Sequence, residues 1–471
     1  MSLPSGLAQP GAGTGDGPGA DAISAVPLAS WWTLLVLLLM GLYTIADRPM
    51  VSLQVEALRK DLLLSDFQVG MVQGVSVALF AAVAGYPLAW LADRFDPRVV
   101  LAGAVAVWSG SLAMSAFSRS FEELFLFNAL VGAGEACLVP ISLALVPQFF
   151  QGRQRHLANS IMMIGGRLGA GLIIALCGWL VLAVDTWRHL LPEGLQSLAT
   201  WRLSLLAIAL PGVLLLPLIL LLPLPRKPPR ASAAVPTARL PGAPAAVAAP
   251  PGVLRYVREN AASFAFFFGG VAMLVMAISS LAVFTPVVAM RQMGATAAQA
   301  GGAMGAATMA ATVAAFLVAQ FAYWRLVPRF GQKVAVMFMV AAAVGAALVM
   351  LSLPLATTYA QLFWIYGLFF MVMTAGILLS PTILQDITPA PLRARLAAIT
   401  VTMNIVLGAL GPPVVGAVSD QLKGRPDGLL LAMAGTAFVC LVIAALLLRP
   451  MVGRYVAAVA AARRAEEQHR S

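Results

Sequence analysis

The chain has 471 residues, of which 61% are hydrophobic and only 10% charged. Ordinary soluble domains carry about 25% charged residues, so a soluble globular fold is excluded and the chain reads as an all-α polytopic membrane protein. The formal net charge is +11, but the basic residues are spread between apolar runs, which argues against a nucleic-acid partner.

In chain order, residues 1–29 are rich in Gly, Ala, Pro and Ser, lack a signal-peptide pattern, and read as a disordered cytoplasmic tail. Twelve apolar segments follow, at about 30–57, 66–92, 97–117, 122–149, 156–184, 201–224, 260–290, 296–324, 333–354, 359–385, 394–418 and 428–452. Each can cross a hydrocarbon core of about 30 Å as a helix. Proline recurs through "PLPRKPPRASAAVPTARLPGAPAAVAAPPG", residues 223–252, so no spanning helix forms there. The "VLRYVREN" after it predicts a short amphipathic helix at the membrane surface.

The expected layout is an N-terminal six-helix bundle (30–224), a cytoplasmic linker (225–259), a C-terminal six-helix bundle (260–452) and a cytoplasmic tail (453–471). Six spans on each side of a long loop suggest two pseudo-symmetric halves. With both termini in the cytoplasm, most loop cations fall on that side, as the positive-inside rule requires. Among them are Arg94, Arg98, Arg155, Arg329, Lys333 and Arg395. Abundant alanine, with arginine favoured over lysine, points to a GC-rich bacterial source and hence to the bacterial inner membrane.

The three cysteines lie in apolar segments without disulfide or metal-ligand spacing. Of the three histidines, His189 and His469 fall outside the apolar runs and His156 stands at the very edge of one, so intramembrane proton chemistry cannot rest on histidine. No P-loop, metal cluster or catalytic constellation is present. An enzyme, a cofactor, a bound metal and an ATP-driven mechanism within this chain are therefore not expected.

Away from the span ends, four ionisable residues stand inside the first-half spans: Asp47, Arg48, Glu135 and Arg167. Such a group at the bilayer centre costs roughly 2.5–3.5 kcal/mol on insertion scales, and it normally faces the bundle interior with a partner. A helix over 30–57 would be about 42 Å long at 1.5 Å per residue, which places Asp47 and Arg48 past its middle but inside. The alternative is that they mark the outer end of the span, with Arg48 snorkelling to the surface. Glu135 follows two glycines in "NALVGAGEACLVP" that permit close helix approach; the alternative there is a protonated structural carboxyl.

Two loops are related. "LADRFDPR" (91–98) supplies Asp93, Arg94 and Arg98, and "LVPRFGQK" (326–333) supplies Arg329 and Lys333. Both resemble the loop motif of the major facilitator superfamily, Gly-x-x-x-Asp-Arg-x-Gly-x-Arg. Ala89 replaces the first glycine, and Pro328 takes the acidic position of the second copy. "YTIADRPMVSLQVEALRKDLLLSDFQVGMVQG", "NALVGAGEACLVP" and "VLGALGPPVVGAVSD" together resemble the Spinster branch of that superfamily, over most of residues 30–450.

The resemblance implies a major facilitator fold, export of lipid-like amphiphiles of lysophospholipid or sphingoid type, and proton coupling through Asp47, Arg48 and Glu135. It also implies a conformational-switch role for the loop residues. Two departures stand out: Asn128 occupies a position where the superfamily usually has arginine, and Arg167 occupies one where this branch tends to have proline. Arg167 is accordingly expected to supply the displaced cation; the alternative is that it snorkels to the cytoplasmic surface. Candidate substrate contacts are Asn128, Ser280, Thr285, Tyr366 and Asn404.

The leading expectation is a monomeric, proton-coupled secondary transporter of an amphiphile, with protons, substrate and membrane lipids as its partners. The alternatives are a superfamily transporter of small organic anions or drugs, and a passive lipid scramblase or receptor.

Overall fold

The computed structural model describes residues 27–136, 138, 141, 145, 146, 149, 150, 152–223 and 253–470. Most of the expected N-terminal tail and of the linker lies outside these residues. All regular structure among them is helical. Ten segments are long and apolar enough to cross a membrane. One of them, Ala297–Leu355, runs through two of the expected spans. A further expected span is missing from the ten because its continuous described helix, Phe121–Glu135, has 15 residues. Together these account for the twelve spans read from the sequence.

In the first half, span 1 comprises Leu28–Tyr43, Asp47–Leu53 and Val55–Leu62, and span 2 comprises Asp66–Gly70, Met71–Ser76 and Val77–Arg94. Spans 3 to 6 are Pro97–Ser115, Phe121–Glu135 with residues beyond it, Gly152–Thr186 and Thr200–Leu220. In the second half, spans 7 to 9 are Ala261–Met293, Ala297–Phe330 and Val334–Ser352. Span 10 is Tyr359–Ile377 and Ser380–Asp386, span 11 is Arg393–Gly408 and Gly411–Gln421, and span 12 is Gly428–Arg470.

The packing repeats. Span 3 packs on spans 4 and 6, span 2 on span 4, and span 1 on spans 5 and 6. Spans 9, 8 and 7 make the same contacts with spans 10, 12 and 11, each partner shifted by six. Between the halves, span 2 meets span 11 and span 5 meets span 8, and the repeat exchanges these two contacts. The fold is therefore two six-helix bundles built on one packing scheme.

The single helix expected over 30–57 is broken. Span 1 turns at Thr44–Ala46, because Pro49 has no N–H and its ring crowds the carbonyl four residues back. Span 2 widens to a π-helical turn at Met71–Ser76, a feature often found at functional sites. Span 11 breaks ahead of Pro412 and Pro413. The Gly408 carbonyl that Pro412 cannot satisfy accepts instead from Ser279 Oγ of span 7 at 2.5 Å, as backbone freed within a membrane requires.

Residues 453–470, expected as a tail, continue span 12 as helix. Tyr455 is fully buried and donates to Asp386 Oδ2 at 2.5 Å, while Glu466 pairs with Arg393 at 3.2 Å. A helix at Val253–Glu259 stands where a surface helix is expected, and the Tyr256 hydroxyl donates to the Ile387 carbonyl at 2.9 Å.

The halves approach through small residues. A Cβ on Gly416 would lie 2.2 Å from the Asp66 carbonyl oxygen, and one on Gly178 would lie 2.9 Å from the Gly301 Cα. Substituting Gly178 by leucine overpacks this contact. The variant should lose about 1–3 kcal/mol of stability, read as a lower melting temperature in detergent; an unchanged melting temperature would contradict the packing described.

Candidate functional site

Span 1 ends, and span 2 begins, on the side of the molecule opposite the chain termini; we call it the far side. The two halves are latched there. Arg291, in the last turn of span 7, donates to both carboxylate oxygens of Asp66 at 2.8 and 2.9 Å and to Glu56 Oε1 at 2.6 Å. Ser419 donates to Asp66 Oδ2 at 2.8 Å, and Arg59 approaches Asp66 at 3.5 Å. Asp420 accepts the backbone N–H groups of Asp66 and Phe67 at 3.2 and 3.0 Å. It thereby places a negative charge at the start of span 2, where the helix dipole favours one. The ion pairs of Arg291 with Glu56 and Asp66 join the halves at this end.

Beneath the latch is a cavity of about 660 Å³ between the halves, within the range of small-molecule sites. Its wall is largely apolar, with Leu53, Ile174, Val275, Met304 and Phe370 among its residues. Val401 and Ile405 line it and are still exposed, so the cavity is open away from the latch.

The charged residues of its wall are Arg48 and Glu135. Arg48 Nη2 donates to Glu135 Oε2 at 3.4 Å, with the two side chains 54% and 18% exposed. Asp47 and Arg48 are adjacent on the helix that restarts after the break in span 1, about 100° apart around its axis, so Arg48 points to the cavity and Asp47 away from it. Asp47 is 3% exposed, does not line the cavity, and its Oδ1 has no hydrogen-bond partner. It interacts electrostatically with Tyr43 and Cys177 in the first-half core. The π-helical turn of span 2 brings Gln73 Nε2 to the Arg48 carbonyl at 3.4 Å.

The other expected residues divide. Tyr366 and Asn404 line the cavity. Asn128, Ser280 and Thr285 do not; each is buried and donates to the carbonyl four residues back in its own helix, at 3.0, 2.7 and 2.6 Å. Arg167 is exposed, with no ion pair among the described residues, and is not brought to the carboxylates. The reason is helical phase. Gly165 and Gly169 pack against Leu38 and Leu42 of span 1, and Arg167, two residues from each, lies on the opposite face.

Arg94 and Arg329 are exposed, and Arg98 and Lys333 are partly exposed. Asp93 falls among the residues whose side chains the structure does not describe. Sequence reasoning missed Gln73, Ser279 and Thr308 in the cavity wall and the whole far-side latch. Gln73 stands deeper in its apolar run than the run's other amide, Gln68, and that was a usable signal. Nothing local marks Asp66 and Arg291 as partners across 225 residues.

The profile of the Major Facilitator Superfamily matches residues 32–412. The chain belongs to that superfamily. Its members are membrane transporters rather than enzymes, and this chain is a multi-pass transporter. It is similar to an MFS-type efflux pump of Mycolicibacterium smegmatis, with 28% identity over 427 residues covering 89% of this chain and 90% of that one. Protein spinster of Drosophila melanogaster is 27% identical over 153 residues, which are 32% of this chain and 25% of that one. Among solved structures, a bacterial homolog of the human lysosomal transporter Spinster, inward-facing and unoccupied, matches the fold with a TM-score of 0.70. Its identity is 21%, over 93% of this chain and 98% of that one.

Arg291→Ala would strip Asp66 of its two-point partner. Breaking one side of a buried pair costs about 3–5 kcal/mol, so the far-closed arrangement should lose most of its population. Spin labels at Leu63 and Gly424, across the far-side mouth, should report a longer distance distribution in the variant. An unchanged distribution would show that the latch does not hold the halves together.

Proposed function

We propose that this transporter moves an amphiphilic organic or lipid-like molecule by alternating access, coupled to protons. The observation that carries this reading is the trio in an apolar interior: two carboxylates, Asp47 and Glu135, served by one guanidinium, Arg48. Fully charged, the trio has net charge −1; with one proton bound it is neutral. Charge within the membrane is costly, so proton binding and release change which arrangement of the halves is favoured. A deprotonated Glu135 holds Arg48, and a protonated one releases it to the cavity and its cargo. Rocking of the halves about that site would then couple the proton to the substrate.

An amphiphile suits the wall, which offers one charged spot on an otherwise apolar surface, and the similarity to the sphingosine-1-phosphate transporter SPNS2 of Danio rerio, 28% identical over 128 residues, supports the same substrate class. On this reading the linker and termini lie in the cytoplasm of a bacterium, the bundles correspond to 30–224 and 260–452, and the transporter acts as a monomer in the inner membrane. The latch then closes the outer side. Asp93, Arg94, Arg98, Arg329 and Lys333 belong to the cytoplasmic closure that replaces it in the opposite state.

A second reading, efflux of small organic anions or drugs, is favoured by the similarity to the mycolicibacterial efflux pump over most of both chains.

The test is transport by proteoliposomes with and without a pH gradient, across lysolipids, sphingoid bases, organic acids and drugs. Glu135→Gln and Asp47→Asn should each abolish gradient-driven accumulation, at least a hundredfold in initial rate, while the proteins insert and elute as wild type. Accumulation at wild-type rates by either variant would remove that carboxylate from the coupling, and flux indifferent to the gradient in wild type would point to a passive carrier.

A further inference from the structure

The second half contributes two buried hydroxyls to the cavity wall, Thr308 of span 8 and Tyr366 of span 10, which are 4% and 2% exposed. In a helix a threonine hydroxyl ordinarily donates to the carbonyl four residues back. Thr285, Thr312, Thr400 and Thr402 all do so. Thr308 does not: its Oγ1 is buried and donates to no carbonyl of its own helix. The Tyr366 hydroxyl lies beside it as its hydrogen-bonding neighbour, on a ring stacked against Phe370 with centroids 5.8 Å apart.

Spans 8 and 10 are packed closely enough that a Cβ on Gly367 would lie 3.4 Å from the Ala307 Cβ. Span 8 also packs on the Asp47–Leu53 helix that carries Arg48. Two neighbouring hydroxyls carry two protons and spend only one on each other, so an occupant of the cavity is the natural acceptor for the other.

We infer that Thr308 and Tyr366 form the second-half recognition pair for the carried molecule. With the open donors of Arg48 they hold an oxyanion head, a phosphate monoester or a carboxylate, across the two halves. This rests on the reading of the cavity as an amphiphile site. A guanidinium has five N–H donors, and Arg48 commits one nitrogen to Glu135. Its remaining donors and the spare hydroxyl proton outnumber the acceptors left on Glu135, whose Oε2 is already engaged. The site is therefore donor-rich and matches oxygen acceptors better than an ammonium. Val275, Val401 and Ile405 offer the apolar wall for the chain of the amphiphile.

The experiment measures binding of dodecyl phosphate, dodecanoate and dodecyltrimethylammonium to wild type, Thr308→Val and Tyr366→Phe in lipid nanodiscs, together with melting temperatures. Wild type should bind the two oxyanion probes tighter than the cation. Each variant should weaken oxyanion binding about tenfold, the loss expected when a polar contact to substrate is removed, and leave the cation unchanged. The melting temperatures establish that each variant folds. Undiminished oxyanion binding by the variants, or tightest binding of the cation by wild type, would each overturn the inference. Failure of wild type to bind any of the three probes would instead sink the amphiphile reading, and this inference with it.

Discussion

Two carboxylates and one guanidinium share an interior that has little else to solvate a charge. Arg48 contacts Glu135 across 3.4 Å, and Asp47, its neighbour in sequence, is buried with an unpartnered oxygen. The geometry of spans 1, 2 and 4 serves this imbalance. The break at Thr44–Ala46 sets the phase of the helix that carries both residues, and the π-helical turn of span 2 places Gln73 against the Arg48 backbone. Adjacent residues of that helix differ by about 100° in direction, so one meets the cavity and the other the first-half core.

The far-side latch supplies the opposing condition. Its bonds hold spans 1 and 2 to spans 7 and 11, and its backbone contacts at Gly70 and Gly416 leave no room for a side chain. Closing one end with directional ion pairs, over a half-open apolar cavity, gives an arrangement that can be exchanged for another. Interfaces of this kind are bistable rather than continuously deformable. Span 11 joins the two functions: its Asp420 caps span 2 in the latch, while its Gly408 and Asn404 line the cavity below.

Breaks in helices within a membrane need partners for the backbone they free, and the partners here come from other spans. Ser279 of span 7 satisfies the Gly408 carbonyl of span 11. In the sequence Ser279 is one scattered polar atom among alanine and phenylalanine. Conversely, Ser280 and Thr285 looked like candidate contacts, and their hydroxyls are taken up by their own helix. A hydroxyl in an apolar run therefore says little until its direction is known.

The sequence by itself determined the architecture. Apolar runs of spanning length, a proline-rich interval between six spans and six, and the paired loop motifs leave little alternative to a two-bundle membrane fold, because a bilayer tolerates so few ways to satisfy the backbone. It also singled out Asp47, Arg48 and Glu135, since charge inside an apolar run is too costly to be incidental. Direction and long-range partnership were decided only by the tertiary structure. Arg167 carried the same signal as Arg48, yet the phase of Gly165 and Gly169 against span 1 turns it outward. Asp66 and Arg291 looked like ordinary helix-end charges until folding brought them together across the halves. Composition fixes what a segment must avoid, but a side chain's partner depends on helix phase and on which helix lies opposite, and neither is a local property of the chain.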